Sequence, residues 1–290
     1  MINIIGIFPN PTKNNWLTVT SQIVEFLRKR KKRVVMDPEF LSKYPVKGAE
    51  ADCPFKNSDM IITLGGDGTL LNAIRNIKNY NLPLVGVNLG GLGFLTEFTT
   101  ETLFRNLEKA LSGNYSTYKR TMLQGNLVRN SRVTEKHVAL NDVVISQRNL
   151  ARLLTMNIYI NKEYVTTYQA DGLIICTPTG STAYSLSAGG PIVEPTMDAI
   201  LLTPICPHTL TNRPILIPAN SKLRIEFPKP ENEVALTIDG QIGILMKKGD
   251  AVEVKRHSKQ VKLVKSEESS FFSILRKKFG WGGLKGFDNA

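Results

Sequence analysis

Three glycines enclose a single carboxylate in the stretch IITLGGDGTLL, which runs from Ile61 to Leu71. Glycine allows positive φ and close backbone approach, and a helix that begins just after such a turn offers N–H groups to a phosphate. A carboxylate at Asp67 would repel that phosphate, so we expect it to contact a metal ion, a sugar hydroxyl or a transferring proton. The alternative is that Asp67 only stabilises a tight turn or caps the helix.

Residues that could bind a ligand recur in three later stretches. Asn141 and Asp142 end a strand-like run, and an amide beside an acid could hydrogen-bond an adenine edge and ribose hydroxyls, or form an Asx turn. Residues 177–187 (TPTGSTAYSLS) combine Pro, Gly and small hydroxyl residues. That composition favours either close approach of a ligand to the backbone or tight packing of a helix start on a sheet. Gln241 follows Asp239-Gly240, which fits a hairpin turn.

Other phosphate-binding and metal-binding patterns fail. No glycine is followed by lysine, which excludes a Walker P-loop, and residues 91–96 (GLGFLT) lack the last glycine of a dinucleotide fingerprint. Cys53, Cys176 and Cys206 are widely spaced and form no CxxC pair, which argues against a disulfide framework or a zinc site. His208 near Cys206 is more typical of a structural pair than of a metal site.

The elements that position these residues follow from hydrophobic patterning. In the first hundred residues short apolar runs alternate with helical segments, which predicts an α/β domain with a Rossmann-like parallel sheet. The predicted strands there are Asn3–Phe8, Val34–Met36, Met60–Leu64 and Leu84–Val87. A helix is predicted from Leu70 to Ile77, so the glycine–aspartate stretch lies at a strand-to-helix junction.

After about Leu123 the pattern changes to closely spaced short strands, which is typical of a β-sandwich or layered sheet. The predicted strands are Gln124–Val128, Val138–Val144, Leu154–Ile160, Gly172–Cys176, Lys222–Phe227, Val234–Ile238 and Ala251–Lys255. Glu101–Ser112 is predicted as a connecting helix, and Phe271–Arg276 has helical spacing. We therefore predict an α/β domain over residues 1–98, a mostly β domain over 99–254, and a C-terminal segment, 255–290. Its helix returns to the first domain and a loose tail follows from Gly280.

Composition and charge limit the function classes. With 290 residues and 42% hydrophobic content, the chain can supply cores for two domains. It has no apolar run long enough to cross a bilayer, and MINIIGIFPN lacks the basic region of a signal peptide, so we expect a cytoplasmic protein without a membrane partner. The net charge of +12 suggests a polyanionic partner. Its densest basic run, residues 28–33, is interpreted as a solvated helix cap rather than a nucleic-acid site, because no aromatic cluster or recognition module lies near it.

The chain resembles the bacterial NAD kinase family from near residue 1 to about Gly283. The resemblance rests on GGDGT at Gly65–Thr69, Asn141-Asp142 in ALNDVVI, the run Asp171–Pro191 with TPTGSTAYSLSAGGP, and TIDGQ at Thr237–Gln241. Similar glycine–aspartate loops occur in lipid kinases of the diacylglycerol kinase type and in phosphofructokinases, whereas the long run is highly specific.

The resemblance implies an enzyme that phosphorylates the adenosine 2′-hydroxyl of NAD to give NADP. ATP is the default donor, and some members of the family also accept inorganic polyphosphate. The NAD-binding residues implied in this way are Asp67, Gly68, Asn141, Asp142, Arg152, Gln169, Asp171, Thr182, Ala183, Tyr184, Ser185, Leu186, Ser187 and Gln241. An arginine is common in the family at the position of Gln169, so this chain lacks the charge-assisted contact that an arginine would make there.

Phosphoryl transfer requires neutralised donor phosphates and an acceptor hydroxyl that loses its proton. We expect Gly65, Gly66, Gly68 and Thr69 to bind the donor and Asp67 to act as general base. Magnesium would be carried mainly by the nucleotide phosphates, since no carboxylate cluster suggests a dedicated metal site. The resemblance also implies a homodimer or homotetramer. A lipid kinase and a non-catalytic nucleotide-binding regulator are the alternatives.

Overall fold

The polypeptide forms two units, and the chain leaves the first one and later returns to it. The computed structural model describes residues 2–54, 56–77, 79–91, 93–148, 153–209, 211–228 and 234–281. Residues up to Lys119 together with those from Val261 onward form the first unit, and Arg120–Gln260 form the second. The structure thus divides the chain after residues 119 and 260, whereas the sequence pattern changes at residues 98 and 254.

The strands and helices of the described residues are numbered in chain order. The strands are β1 (Ile4–Pro9), β2 (Arg33–Met36), β3 (Glu50–Ala51), β4 (Met60–Gly65), β5 (Pro83–Asn88), β6 (Thr117–Arg120), β7 (Leu123–Arg129), β8 (Arg132–Ala139), β9 (Asp142–Gln147), β10 (Leu154–Ile160), β11 (Glu163–Ala170), β12 (Gly172–Cys176), β13 (Ala199–Ile205), β14 (Ile215–Pro218), β15 (Lys222–Glu226), β16 (Val234–Ile238), β17 (Ile242–Leu245), β18 (Ala251–Arg256) and β19 (Val261–Val264). The helices are α1 (Trp16–Lys29), α2 (Pro38–Lys43), α3 (Asp67–Asn76), α4 (Thr100–Leu111), α5 (Tyr184–Ser187) and α6 (Phe271–Phe279), with a 3₁₀ turn at Thr179–Thr182.

The first unit is built on a sheet with the strand order β3-β2-β1-β4-β5-β19-β6. Strands β1 to β5 and β19 pair in parallel, with Ile7 opposite Ile62 and Ile62 opposite Val85. Every residue of β4 and β5 is buried, as expected for a parallel sheet that is covered on both faces. Ile23 and Leu27 of α1 belong to its core. The predicted α/β domain with a parallel sheet is confirmed.

The second unit is a β-sandwich of two antiparallel sheets. The strand orders are β11-β10-β15-β18-β7-β8 and β14-β13-β12-β9-β16-β17. One buried core joins them: it includes Ile158 and Val252 from the first sheet and Val143, Ile175 and Leu236 from the second. The predicted mostly β second domain is therefore confirmed.

One predicted strand is wrong, because the run Val138–Val144 is two strands, β8 and β9, that belong to different sheets. The break falls at Leu140 and Asn141. The backbone N–H groups of Leu140, Asn141 and Asp142 donate to the carboxylate of Asp239 at 2.8–3.0 Å. A side chain 97–99 residues away thus satisfies the backbone where the chain passes from one sheet to the other.

The C-terminal helix returns to the first unit, as predicted. Strand β19 pairs with β5, and α6 follows it, with Ile274 and Leu275 buried. The Ser270 hydroxyl caps α6 by accepting a hydrogen bond from the Ser273 N–H at 3.1 Å. The predicted loose tail lies, from residue 282 onward, outside the described residues.

Three of the six residues in the basic run at the end of α1 pair with acidic side chains of the same unit. Arg30 pairs with Glu108, Arg33 with Glu50 at 2.6 Å, and Lys29 with Glu25 at 2.7 Å. These contacts support the interpretation of residues 28–33 as a solvated helix end.

Candidate active site

The glycine–aspartate loop joins the buried strand β4 to α3. The helix begins at Asp67, three residues earlier than predicted, with Gly66 in extended backbone conformation just before it. A Cβ on Gly65 would lie 2.2 Å from Oγ1 of Thr69, so glycine is required for the loop to close on the helix. A Cβ on Gly66 would meet no atom within 4 Å. The loop therefore presents open backbone at the positive end of the α3 dipole, where an anion is stabilised.

The carboxylate of Asp67 is held by a second segment, residues 93–96. The N–H groups of Leu95 and Thr96 and the Thr96 hydroxyl donate to Oδ1 at 3.0, 3.1 and 3.0 Å. The N–H of Phe94 donates to Oδ2 at 2.8 Å. Oδ1 thus accepts three hydrogen bonds and Oδ2 accepts one from this segment. Asp67 is therefore more than a helix cap, because its carboxylate organises a second loop of the first unit.

Gly93 makes this contact possible. A Cβ at this position would lie 2.2 Å from Oδ1 of Asp67 and 2.2 Å from Oγ1 of Thr96, far inside van der Waals contact. Residues 93–96, from the stretch that fails as a dinucleotide fingerprint, thus form a docking segment for the aspartate. Their sequence pattern did not assign them to the site.

A separate cavity of about 320 Å³ lies in the second unit. Four predicted NAD-binding residues line it: Asn141, Asp142, Ala183 and Tyr184. Its other lining residues, which the sequence analysis missed, are Val144, Ser146, Thr237, Asp239 and Gly240. Val144 and Ser146 could have been found from strand alternation, since residues 142, 144 and 146 of one strand face the same side.

The wall of this cavity depends on a close approach between the turn after β12 and the connection between β8 and β9. The Thr177 hydroxyl donates to the Leu140 carbonyl at 2.6 Å, and the Thr177 N–H donates to the Asn141 carbonyl at 2.9 Å. A Cβ on Gly180 would lie 2.3 Å from the same Asn141 oxygen. The small residues of TPTGSTAYSLS therefore bring two backbone segments together, so the tight-packing alternative holds for Thr177 and Gly180.

Asp142 is a buried carboxylate with an unusual protonation equilibrium. Burial, and then the negative charge of Asp239, raise its pKa to about 7. The thiol of Cys176, opposite Asp142 on the neighbouring strand β12, has its pKa raised to about 12, mainly by burial. Cys176 therefore remains neutral, and it belongs to a small buried cluster with Ile174 and Leu201.

The other predicted residues do not line this cavity. Ser185 is fully buried and its hydroxyl bonds that of Thr203 at 2.8 Å, so it supports the turn from inside rather than facing a ligand. Asp171 accepts a hydrogen bond from the side chain of Gln147 at 3.3 Å. Of the remaining predicted residues of the second unit, Gln169 lies on β11, Thr182 ends the 3₁₀ turn, Leu186 and Ser187 lie in α5, and Gln241 lies between β16 and β17. Arg152 lies outside the described residues.

The described residues contain neither a cluster of metal ligands nor a membrane-spanning helix. Within the described ranges, no three His, Cys, Asp or Glu side chains gather closely enough to hold a metal ion. No helix in those ranges has the length and apolar character needed to span a bilayer.

A glycine-rich loop between a buried parallel strand and a helix N-terminus is how α/β proteins bind nucleotide phosphates. The chain combines such a loop with a β-sandwich that has its own cavity. This combination defines the class: a nucleotide-binding protein of two units. The family model of the ATP-NAD kinase N-terminal domain matches residues 5–115, and that of the C-terminal domain matches residues 140–266. The chain belongs to the ATP-NAD kinase family.

Relatives and solved structures agree with this assignment. An NAD kinase of Solibacter usitatus is 42% identical over 284 residues, which cover 97% of this chain and 99% of the relative. An NAD kinase of Geobacter sulfurreducens is 49% identical over 225 residues, 78% of this chain and 79% of the relative. The yeast NADH kinase solved with NADH superposes with a TM-score of 0.89 at 27% identity, over 99% of this chain and 90% of that one.

An NAD kinase from Archaeoglobus fulgidus, solved with ATP, shares the fold at 23% identity and a TM-score of 0.73, over 96% of this chain and 97% of that one. Phosphorylation of NAD to NADP is the reaction of the family. The predicted family, enzyme class and reaction are thus confirmed.

Proposed function

We propose that Asp67 is the general base of this NAD kinase and accepts the proton of the adenosine 2′-hydroxyl as ATP donates its terminal phosphoryl group. The observation that carries the proposal is that the two carboxylate oxygens of Asp67 accept unequal numbers of hydrogen bonds. Oδ1 accepts three hydrogen bonds from residues 93–96 and Oδ2 accepts one. Since a carboxylate oxygen has two lone pairs, Oδ2 retains the capacity to accept a hydrogen bond from a substrate hydroxyl.

Donor binding is assigned to Gly65, Gly66, Gly68 and Thr69. The open space above Gly66 and the positive end of the α3 dipole support this assignment, because phosphate oxygens can then approach the backbone closely. Thr69 also stabilises the loop, since its hydroxyl accepts hydrogen bonds from the Gly66 N–H at 3.5 Å and the Asn10 amide at 3.3 Å.

Binding of NAD is assigned to the cavity of the second unit and to the residues named from the resemblance. Its volume of about 320 Å³ falls within the usual range for small-molecule sites, roughly 300–1,000 Å³. Asn141 supplies an amide for base or ribose recognition, and Tyr184 supplies an exposed aromatic ring on which a base can stack. Asp142 supplies a carboxyl group for ribose hydroxyls.

A divalent cation, with magnesium as our candidate, would be held mainly by the nucleotide phosphates and would neutralise their charge. The side chains present fit this role, because within the described residues the acidic side chains do not form a cluster that could bind the metal without the nucleotide. The protein's own residues would align the phosphates and orient the acceptor hydroxyl.

We further propose a homodimer or homotetramer that works in the cytoplasm. Exposed apolar side chains on edge strands support self-association: Tyr164 and Val165 on β11, Leu216 on β14 and Leu245 on β17. Two exposed free cysteines, Cys53 and Cys206, are consistent with a reducing compartment.

The test of the general base is Asp67→Asn, assayed with NAD, ATP and magnesium by a dehydrogenase specific for NADP. The amide keeps the size of the side chain but cannot take up a proton. We expect the variant to fold, to bind NAD within a few-fold of the parent, and to lose at least roughly 10² in turnover. Weaker NAD binding with unchanged turnover would instead make Asp67 a substrate anchor. Replacing ATP by polyphosphate in the same assay defines the donor range.

A further inference from the structure

The segment that holds Asp67 is anchored differently at its two ends. At the inner end the Thr96 hydroxyl also accepts a hydrogen bond from the Asn88 amide at 3.0 Å, and Thr96 is almost fully buried. Leu95 packs closely against β5, since a Cβ on Gly86 would lie 3.0 Å from its carbonyl oxygen. Residues 95 and 96 are therefore fixed by the sheet itself.

At its outer end the segment is contacted by the C-terminal helix. The ring of Phe94 lies 6.2 Å from that of Phe271 and 6.1 Å from that of Phe279, measured between centroids. The ammonium group of Lys278 lies 4.6 Å from the centroid of the Phe94 ring. These distances are within the range of aromatic and cation–π attraction. The peptide group that Phe94 contributes to Asp67 is thus held by a helix almost 180 residues away in sequence.

Helix α6 is itself firmly seated. Ile274 and Leu275 are buried in the first unit, and Ser270 and Ser273 close its N-terminus with reciprocal hydrogen bonds of 3.1 and 2.9 Å. Phe271 and Phe279 are two turns apart on the helix, so both rings reach the same neighbour. A seated helix can therefore hold Phe94 in place without being part of the phosphate loop.

We propose that α6 is a positioning element for the catalytic carboxylate: Phe271 and Phe279 hold Phe94, whose N–H fixes Oδ2 of Asp67, while Thr96 and Leu95 saturate Oδ1. Oδ2 is the oxygen that can still accept a hydrogen bond, and its orientation therefore depends on the helix. The inference rests on the proposed role of Asp67 as general base and extends it to residues outside the family motifs. Phe271, Phe279 and Thr96 act through Asp67 and are positioning residues.

The helix is tested with the double variant Phe271→Leu/Phe279→Leu, which keeps apolar side chains and removes both rings. The matched control is Phe272→Leu, on the same helix, whose exposed ring lies 5.5 Å from that of Phe271. Because small misplacements of catalytic groups can cost up to about 10² in rate, we expect turnover to fall at least about fivefold in the double variant. The KM values for NAD and ATP should stay within about twofold, since only transition-state contacts are lost. The control should behave as the parent.

The decisive measurement repeats the change in an Asp67→Asn background. If the helix acts through the carboxylate, the double variant causes no further loss there, because interacting residues are not additive. An equal loss in both backgrounds, or a change confined to KM, overturns the inference. Full turnover in Asp67→Asn alone overturns the general-base role, and with it the positioning role. Loss of turnover in Asp67→Asn without any effect of the helix change refutes the helix inference alone.

A second pair of variants tests the other positioning residue of the proposal, Thr96, and does so even if the helix change unfolds the protein. Thr96→Val removes the hydroxyl donor to Oδ1 without changing the side-chain shape, and Thr96→Ser restores it. We expect about a tenfold loss of turnover for valine, as for one hydrogen bond to a charged group, and recovery to within about threefold for serine. Equal loss for both, or a loss for valine that persists in the Asp67→Asn background, contradicts the proposal.

Discussion

At the scale of single residues, Asp142 offers a carboxyl group to the proposed site, but its burial there costs the folded protein stability when the group is ionised. Its carboxyl group is 4% exposed, and burial together with the charge of Asp239 raises its pKa to about 7. The ordinary unfolded value is about 3.9, so the folded protein binds this proton more tightly than the unfolded chain. The group therefore contributes stability below pH 4 that is progressively lost as the pH rises towards 7.

We predict that Asp142→Asn stabilises the ligand-free protein at pH 8, by on the order of 2 kcal/mol, because it removes a buried charge beside Asp239. The difference should shrink as the pH falls and vanish below about pH 4, where the carboxyl group is protonated in the folded and the unfolded chain alike. Urea unfolding over the range from about pH 4 to pH 8 measures this change. Asp198→Asn, which alters an exposed ion pair with Arg256, is the control and should show no such pH dependence. A destabilised Asp142→Asn at pH 8 would contradict the prediction.

The contact between residues 93–96 and Asp67 can be tested by adding a single methyl group at Gly93. In Gly93→Ala the new Cβ would meet Oδ1 of Asp67 at 2.2 Å, so residues 93–96 must move away from the carboxylate. Because small displacements of catalytic groups are costly, turnover with NAD and ATP should fall by about 10². Gly91→Ala is the matched control, since its Cβ would meet no atom within 4 Å. Similar activity of the two variants would show that the contact with Asp67 is unimportant.

At the scale of elements, sequence periodicity located the strands whose own residues are strongly strand-forming. It missed the strand ends and short strands that depend on residues distant in the sequence. Strands β10, β12 and β16 have the predicted ends, because β-branched and large apolar residues dominate each run. Strand β19 was not predicted: VKLV is short, and its pairing with β5 and β6 makes it a strand. The break between β8 and β9 was missed for the same reason, since the carboxylate that creates it lies at Asp239.

The cavity is lined by residues of two separate motifs. Asn141 and Asp142 of one motif and Ala183 and Tyr184 of the other lie on it, because neighbouring residues of a short connection reach the same surface. Ser185 belongs to the same motif but points inward to Thr203. The sequence pattern could not distinguish a hydroxyl that faces a ligand from one that supports a turn.

Asp239 connects two elements, the β8–β9 connection and the β16–β17 hairpin, and it is the subject of the next prediction. Asp239→Ala removes the acceptor of three backbone N–H groups, of which those of Leu140 and Asp142 are buried, so the free energy of unfolding should fall by about 3 kcal/mol. Affinity for NAD should fall with it, because Asn141 loses its backbone support. Chemical denaturation and NAD titration measure the two effects. A loss below about 1 kcal/mol, typical of exposed ion pairs, would mean that water replaces the carboxylate.

At the scale of the whole molecule, exposed side chains on the sheet that carries Asp142 argue for association. That sheet ends in β14 and β17, where Leu216 and Leu245 are 44% and 57% exposed. Edge strands with apolar side chains are pairing surfaces unless they are covered. A partner subunit would cover them and bring an interface near the cavity that we propose binds NAD.

We expect light scattering to give a dimer or tetramer of the 32.2 kDa chain at micromolar concentration. Leu245→Glu should shift the population towards the single chain, because a charge on an edge strand opposes pairing. Leu17→Glu is the control, since Leu17 is an exposed leucine on α1 of the first unit. A 32.2 kDa species with full activity in the parent protein would rule out the assembly.

The return of the chain at β19 also sets when the first sheet can be completed during synthesis on the ribosome. Strand β5 can pair with β4 early, but it receives its second partner only when Val261–Val264 have been synthesised, after the whole of Arg120–Gln260. Bacterial and eukaryotic ribosomes add about 5–20 residues per second, and domains usually fold from the N-terminus onward. Here the inserted unit can be complete while the N-terminal sheet still has an unpaired edge at β5. A nascent chain that stalls before residue 261 therefore exposes a parallel edge strand, and the last residues made determine when the first sheet closes.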